Sequence, residues 1–456
     1  MKVANLHSVF FLGVGGIGMS ALARWFCAQG KQVYGYDKTQ TRLTDELEKE
    51  GIIIHFEDSV ENIAQDLKNQ ALENVLVVYT PAIPSNNAEL SFFQDSGYTL
   101  KKRAEVLGLI CSDYYTVAVA GTHGKTTTSS MVAHLLKHAG KDIVAFLGGL
   151  TVNYESNMIL NETIDAIAVV EADEFDRSFL QLSPDLAIVT STDADHLDIY
   201  GDKDQLKDSF REFVGKLRDE GKLFAQDKIA NDFENSKIKA RTYGSEKSNL
   251  AVSNIEPGMP FKFDVHYGEH SISGLKLFVP GYHNVQNASA AVGVALELGI
   301  GEEAIRLGLE SYRGVKRRFE YIINSQELVY VDDYAHHPEE INAFLNSIRK
   351  MYPGKKITAI FQPHLFSRTQ DFSKEFAASL DLADEVYLLE IYPARELPIA
   401  GVNAELILNQ MTIEHREVIS KEEVIKRVGR DTVEVLATMG AGDIDQIVEP
   451  LKKALL

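Results

Sequence analysis

Short apolar runs that end in glycines or carboxylates alternate with helical apolar stripes along almost the whole chain. Ser8 to Leu12 is uninterruptedly apolar after its first residue, the pattern of a parallel strand buried on both faces. It runs into Gly13-Val14-Gly15-Gly16-Ile17-Gly18, and a helix is predicted from Met19 to Gln29, stopped by Gly30. Gln32 to Tyr36 reads as a second strand ending on Asp37. Val75 to Tyr79 reads as another, followed by the stiff Thr80-Pro81-Ala82-Ile83-Pro84. The β-branched run Thr116 to Ala120 enters a glycine turn, and a helix opens on Lys125. Its face is marked by Met131, Val132, Leu135, Leu136 and Ala139, with Gly140 as its stop. Further strands are predicted at 164–170, 186–190, 328–331, 356–361, 385–389 and 432–437. A β-rich irregular stretch spans 222–280, and an alanine-rich helix runs through Ala295.

Strand-helix alternation of this kind predicts an α/β protein with mostly parallel sheets. Three domains are expected in the 456 residues: a Rossmann-like domain over 1–113, a central P-loop-type mononucleotide-binding α/β domain over 114–318, and a Rossmann-like C-terminal domain over 319–456. Composition narrows the class. Apolar residues at 45% and charged residues at 25% suit a globular protein with several cores. No apolar run reaches the ~18 residues of a membrane span, so no membrane insertion is expected. Two cysteines make no disulfide framework, which points to a reducing cytoplasm. A net charge of −20 argues against nucleic acid as a partner. An anionic ligand must therefore be held by local basic groups and backbone amides.

Such local groups are present. Strand, Gly121-Thr122-His123-Gly124, Lys125-Thr126-Thr127 and then a helix is the layout of a phosphate cradle, although two residues shorter than the usual loop. Backbone N–H groups and the helix N-terminus would face the anion, Lys125 would supply mobile charge, and a hydroxyl could hold Mg²⁺. The acidic run Glu171-Ala172-Asp173-Glu174-Phe175-Asp176 follows a strand in the same domain, and one or two of its carboxylates suit Mg²⁺. His196, flanked by Asp193, Asp195 and Asp198, falls after the next strand as a metal or phosphate group. The first glycine turn offers a diphosphate seat at a helix N-terminus. With Asp37 at the end of the second strand, that turn also admits an NAD-dependent oxidoreductase. Lys101, Lys102 and Arg103 form a basic cluster before a helix beginning near Ala104. In the last domain, polar groups gather after successive strands, in Asp332-Asp333-Tyr334-Ala335-His336-His337-Pro338 and in Gln362-Pro363-His364-Leu365-Phe366-Ser367-Arg368. Convergent polar groups at strand ends form sites.

Taken together these stretches resemble the Mur ligases of peptidoglycan synthesis. The resemblance runs in order through Gly-Val-Gly-Gly-Ile-Gly-Met at 13–19, Gly-Thr-His-Gly-Lys-Thr-Thr at 121–127, Glu-Ala-Asp-Glu at 171–174 and Asp-His-Leu-Asp at 195–198. It continues through His-Asn-x-x-Asn-Ala at 283–288, Arg-Arg-Phe-Glu at 317–320 and Asp-Asp-Tyr-Ala-His-His-Pro at 332–338. It implies an ATP-dependent, Mg²⁺-dependent amide ligase whose substrates are UDP-N-acetylmuramate and L-alanine, working through an acyl phosphate. By resemblance, residues 121–127 bind the ATP phosphates, with Lys125 on the β- and γ-phosphates and Thr126, Glu171 and His196 at the metal. Asn287 reads adenine, and Arg318 and Asp333 reach the nucleotide. Gly15, Gly16, Ile17, Gly18, Asp37, Thr80 and Arg103 belong to the UDP substrate. Tyr334, His336, His364 and Arg368 belong to alanine. A monomer or weak homodimer is expected. The family often has serine where this chain has Phe175 and a small residue where it has Arg177; Arg177 either touches substrate or balances the local acids. No counterpart of the lysine that sibling ligases carbamylate is evident. The related ligase that recycles murein tripeptide stays as an alternative.

Overall fold

The computed structural model describes residues 3–161, 165–193, 200, 202–394, 396–429 and 433–456. Its first sheet holds β1 (Ser8–Leu12), β2 (Gln32–Tyr36), β3 (Ile53–His55), β4 (Val75–Tyr79) and β5 (Thr99–Lys102) in the order β3-β2-β1-β4-β5. All its pairings are parallel. β1 is buried throughout, as an apolar run between two parallel neighbours must be. The helix after it spans Ile17–Ala28, two residues earlier than expected, because Gly16 takes the cap position. A Rossmann-like sheet of this order reverses direction beside β1, where ligand crevices open at the carboxyl ends of the strands.

The second sheet comprises β6 (Tyr115–Ala120), β7 (Ile143–Phe146), β8 (Met158–Asn161), β9 (Ile167–Glu171), β10 (Leu186–Val189), β11 (Lys222–Gln226), β12 (Ala240–Tyr243), β13 (Leu250–Glu256), β14 (Phe261–Tyr267) and β15 (His270–Leu277). Their order is β15-β14-β13-β12-β11-β10-β6-β9-β7-β8. β6 lies between β10 and β9, parallel to both, so the glycine turn after it is flanked by the ends of two neighbouring strands. The stretch expected to be β-rich and irregular supplies the last five strands. The third sheet holds β16 (Glu320–Asn324), β17 (Val329–Asp333), β18 (Ile357–Phe361), β19 (Glu385–Leu388), β20 (His415–Val418) and β21 (Val435–Met439), in the order β16-β17-β21-β18-β19-β20. Only its β16 edge is antiparallel.

The chain packs as two compact units. One comprises Met1–Asn254, Phe263–Leu275 and Gln286–Tyr312; the other comprises Ile255–Lys262, Lys276–Val285 and Arg313–Leu456. In the first unit one hydrophobic core takes in Val9 and Phe11 from the first sheet, Phe26 from the helix after β1, Ala118 and Val170 from the second sheet and Phe210 from the helix Lys203–Val214. Arg24 and Asn157, both buried, reinforce that junction. The Arg24 guanidinium donates to Glu50 and to the Asn157 carbonyl, while the Asn157 amide donates to Ile17 O at 2.5 Å and Ser20 Oγ at 2.9 Å.

Candidate active site

The loop 121–124 is fixed from both sides. Gly121 sits at φ +133°, and a Cβ there would lie 2.1 Å from Thr190 Oγ1, so only glycine allows the strand end and the loop to meet. Ser191 accepts from the His123 N–H at 2.8 Å and shares a 2.7 Å hydroxyl bond with Thr122, while Thr190 donates to Ala120 O at 3.1 Å. Gly124, at φ +83°, caps the helix Lys125–His138 without a side-chain bond. Its first-turn amides therefore keep their capacity for an anion. A Cβ on Gly124 would stand 2.9 Å from Asn287 Oδ1, which places Asn287 against the cradle. Thr126 and Thr127 are buried in that first turn.

Lys125 folds back over the loop. Its ammonium donates to Gly121 O at 2.7 Å and lies 2.7 Å from Glu174, a carboxylate buried in the same unit. Burial pulls the lysine down, but Glu174, Asp173 and Glu171 outweigh it and hold the ammonium above its ordinary value. Glu171, at the end of β9, accepts from the Gly148 N–H at 3.0 Å, and its charge acts on Lys125. His196, with Asp195 and Asp198, lies outside the described residues.

A cavity of about 280 Å³ opens in the first unit. Ile17, Gly18, Thr80 and Arg103 line it together with Glu171 and Asp173. Of the residues expected at the sugar nucleotide, these four thus share one chamber with the expected metal carboxylate. Arg103 lies across the helix start, with its Nη1 3.0 Å from where a Gly18 Cβ would be. Gly16 caps that helix, again without a side-chain bond. Gly15 and Asp37 stand behind the turn, where Asp37 accepts from the Gly15 N–H at 2.8 Å and from the Thr39 N–H at 3.2 Å. One oxygen of the would-be ribose acid therefore braces the glycine turn, while the other holds the turn after β2.

The polar strand ends of the second unit also converge. Asp333 accepts from the Phe319 N–H at 2.6 Å and the Ala335 N–H at 2.7 Å, and Arg318 lies 5.0 Å from the Tyr334 ring. His336 packs against Tyr334, with ring centres 5.4 Å apart, and against His364 at 6.1 Å. Arg368 follows His364 in the helix Phe366–Asp371. Burial pushes the Asp333 carboxyl up to about 6, although Arg318 opposes it, and pushes the His336 imidazole down to about 4.

Three residues of the cradle escape sequence reasoning. Glu174 is one of four carboxylates in a row, and only the turn after β9 shows which of them reaches Lys125. Thr190 and Ser191 follow β10, where hydroxyls read as a loop start; their use as props for the cradle follows from β10 lying next to β6.

A glycine-capped loop with a paired lysine at a helix N-terminus suits a nucleotide-using enzyme, and comparison with known proteins places it. Three family models match in order: Mur ligase family, catalytic domain over 8–115; Mur ligase middle domain over 119–295; and Mur ligase, glutamate ligase domain over 317–444. The chain belongs to the Mur ligase family, which removes the oxidoreductase alternative. It is 47% identical to the UDP-N-acetylmuramate–L-alanine ligase of Flavobacterium johnsoniae, over 100% of this chain and 99% of that one. It is 45% identical to the protein of that name from Cytophaga hutchinsonii, over 99% and 97%. Among solved structures it is similar to UDP-N-acetylmuramate-alanine ligase MurC from Thermotoga maritima, at 29% identity with a TM-score of 0.82 over 98% of each chain. A murein peptide ligase from Psychrobacter arcticus shares the fold, at 23% identity and a TM-score of 0.72 over 98% of each chain.

Proposed function

We propose that this chain uses ATP to join L-alanine to the lactyl carboxylate of UDP-N-acetylmuramate, a step in making peptidoglycan precursors. The observation that carries the proposal is the chamber running from the glycine-capped helix start and Arg103 to Glu171, in the same compact unit as the Lys125 loop. Identity of 45–48% over essentially the full chain to alanine-adding ligases supports this substrate pair over the murein tripeptide reaction.

A carboxylate is a poor electrophile. Its oxygen first attacks the γ-phosphorus of ATP, giving an acyl phosphate and ADP, and the amine of alanine then displaces phosphate. Phosphoryl transfer asks the protein for alignment and charge neutralisation. The amides of 121–127 and the Lys125 ammonium serve the phosphates, with Lys125 leaving Glu174 and Gly121 O to reach them. Asn287 is assigned to the adenine edge, and Arg318 and Asp333 are assigned to the nucleotide. Thr126 and Glu171 offer hard oxygens that suit Mg²⁺, with His196 completing the expected set. When bound, Mg²⁺ neutralises phosphate charge. Gly15, Gly16, Ile17, Gly18 and Arg103 hold the diphosphate, with Thr80 beside it and Asp37 bracing the loop. Tyr334, His336, His364 and Arg368 are assigned to alanine. The domain roles follow: 1–113 for the UDP substrate, 114–318 for ATP, 319–456 for the amino acid. No helix among the described residues is long and apolar enough to cross a membrane, and the proposed reaction belongs in the cytoplasm, where ATP is supplied.

Incubation with UDP-N-acetylmuramate, ATP, Mg²⁺ and alanine, glycine or serine in turn, followed by mass spectrometry, tests the proposal. The expected product is heavier by one alanine residue and forms fastest with alanine. Absence of any amino-acid adduct from an active, folded preparation would overturn the proposal.

A further inference from the structure

Phe175–Gln181 is a turn broken by two successive non-glycine residues in the left-handed region, Asp176 at φ +54° and Arg177 at φ +53°. Such strain persists only where surrounding contacts over-determine it, and it gathers at functional sites. Those contacts are present. The Arg177 N–H donates to Glu174 O at 2.9 Å, and the Tyr200 hydroxyl donates to the same oxygen at 2.6 Å. The Phe179 N–H donates to Asp173 O at 2.9 Å, and the Phe179 ring stacks on Phe213 with centres 5.1 Å apart. The strained pair is thereby held on the wall of the chamber, which Arg177 lines.

Charge pairing shows what is left over. Lys102 meets Asp176 at 3.3 Å, Arg103 meets Asp173 at 3.8 Å, and Lys125 meets Glu174. Arg177 lies 5.5 Å from the Tyr200 ring and, among the described residues, pairs with no carboxylate. Balancing the local acids therefore does not account for it. Arg103 and the glycine-capped helix start already suit a diphosphate. Arg177 instead belongs to the segment that carries Glu171 and Glu174, and lines the chamber together with Glu171.

We infer that Arg177 grips the carboxylate of the sugar nucleotide and so selects the acid-bearing substrate over the matching sugar nucleotide with a plain hydroxyl; this rests on the proposed function. A guanidinium engages one carboxylate oxygen by a charge-assisted hydrogen bond and leaves the other directed at the phosphoryl group. The phosphate oxygens of the diphosphate share this anion chemistry, and the test separates the two sources.

Binding of UDP, UDP-N-acetylglucosamine and UDP-N-acetylmuramate is measured by calorimetry for the wild type, R177A, R177K and R177G. The expected result is tenfold or greater loss of UDP-N-acetylmuramate affinity in R177A and R177G, partial retention in R177K, and unchanged binding of the other two ligands. R177G also removes the backbone strain, so its thermal midpoint should equal or exceed that of the wild type, which separates lost recognition from lost folding. Equal weakening of all three ligands would move Arg177 to the diphosphate and overturn the inference, as would a preference for UDP-N-acetylmuramate that survives in R177A and R177G. A wild-type protein with no such preference would instead contradict the proposed function itself.

Discussion

Lys125 is already engaged before any nucleotide arrives, with its charge on Glu174 and its hydrogens on the carbonyls of its own loop. That geometry keeps the ammonium charged and beside the loop proposed to hold the phosphates. Replacing it with alanine removes one electrostatic contact to the transferred phosphoryl group, an expected loss of ~3 kcal/mol or about 10²- to 10³-fold in kcat/KM. Steady-state ADP release with circular dichroism as a folding control checks this, and near-normal turnover would take Lys125 out of the role. His336 supplies a test of a different kind. Burial lowers its imidazole from 6.5 to about 4 against the pull of Glu340, with Arg368 and Arg318 also acting to lower it. Between those values the unfolded chain takes up a proton that the folded chain refuses, so stability falls as pH drops through that window. Asp332 and Asp333, raised by burial to about 7 and about 6, act oppositely: the folded chain keeps protons that the unfolded chain releases, and stability falls as pH rises from about 4. His336→Gln should make the change in stability on going from pH 7 to 5 more favourable than in the wild type by about 2 kcal/mol, because only the His336 contribution is removed. Urea unfolding at the two pH values measures it, and a pH dependence equal to that of the wild type would contradict it. Lys125 and Gly124 were legible in the sequence because loop chemistry demands those residue types at those places. Glu174 was not, because which member of an acidic run turns inward depends on the packing of Phe179 and Tyr200.

At the scale of elements, the cradle works because neighbouring strand ends fix its shape. Gly148 follows β7, and a Cβ there would lie 2.4 Å from both oxygens of Glu171. Gly148→Ala should push that carboxylate aside and cost about tenfold or more in kcat, since a displaced ligand of about 1 Å is enough to lose alignment. Its melting temperature should drop by only a few degrees. Unchanged kcat would show that Glu171 needs no such seat. The strands Gln32–Tyr36 and Val75–Tyr79 and the helix beginning at Lys125 lie where the sequence put them, each bounded by a glycine, a carboxylate or a turn. The strand expected over 432–437 lies instead at Val435–Met439, with Thr432 outside the described residues. In a fully buried strand no alternation marks the ends, and pairing with β17 and β18 decides them.

For the whole molecule, repeated strand-helix alternation made three parallel-rich sheets legible. Their gathering into two compact units was not, because it rests on long-range contacts. One apolar core joins the first two sheets, and Asn157 bonds the helix after β1 to the β7–β8 hairpin. Every residue lining the chamber lies in the first unit. Calorimetric unfolding should therefore resolve two transitions, of which UDP-N-acetylmuramate raises only the one assigned to the first unit by limited proteolysis; at a hundredfold excess over Kd the gain is ~2.7 kcal/mol. A shift confined to the other transition would place the ligand elsewhere. The central claim is that the terminal phosphoryl of ATP passes to the acid group of the sugar nucleotide. Its most direct test starts from UDP-N-acetylmuramate with a heavy oxygen isotope in the lactyl carboxylate and follows the label after ligation. One heavy oxygen is predicted in the released phosphate, while phosphate free of the label, with the heavy oxygen lost from the carboxylate appearing in water, would contradict the account.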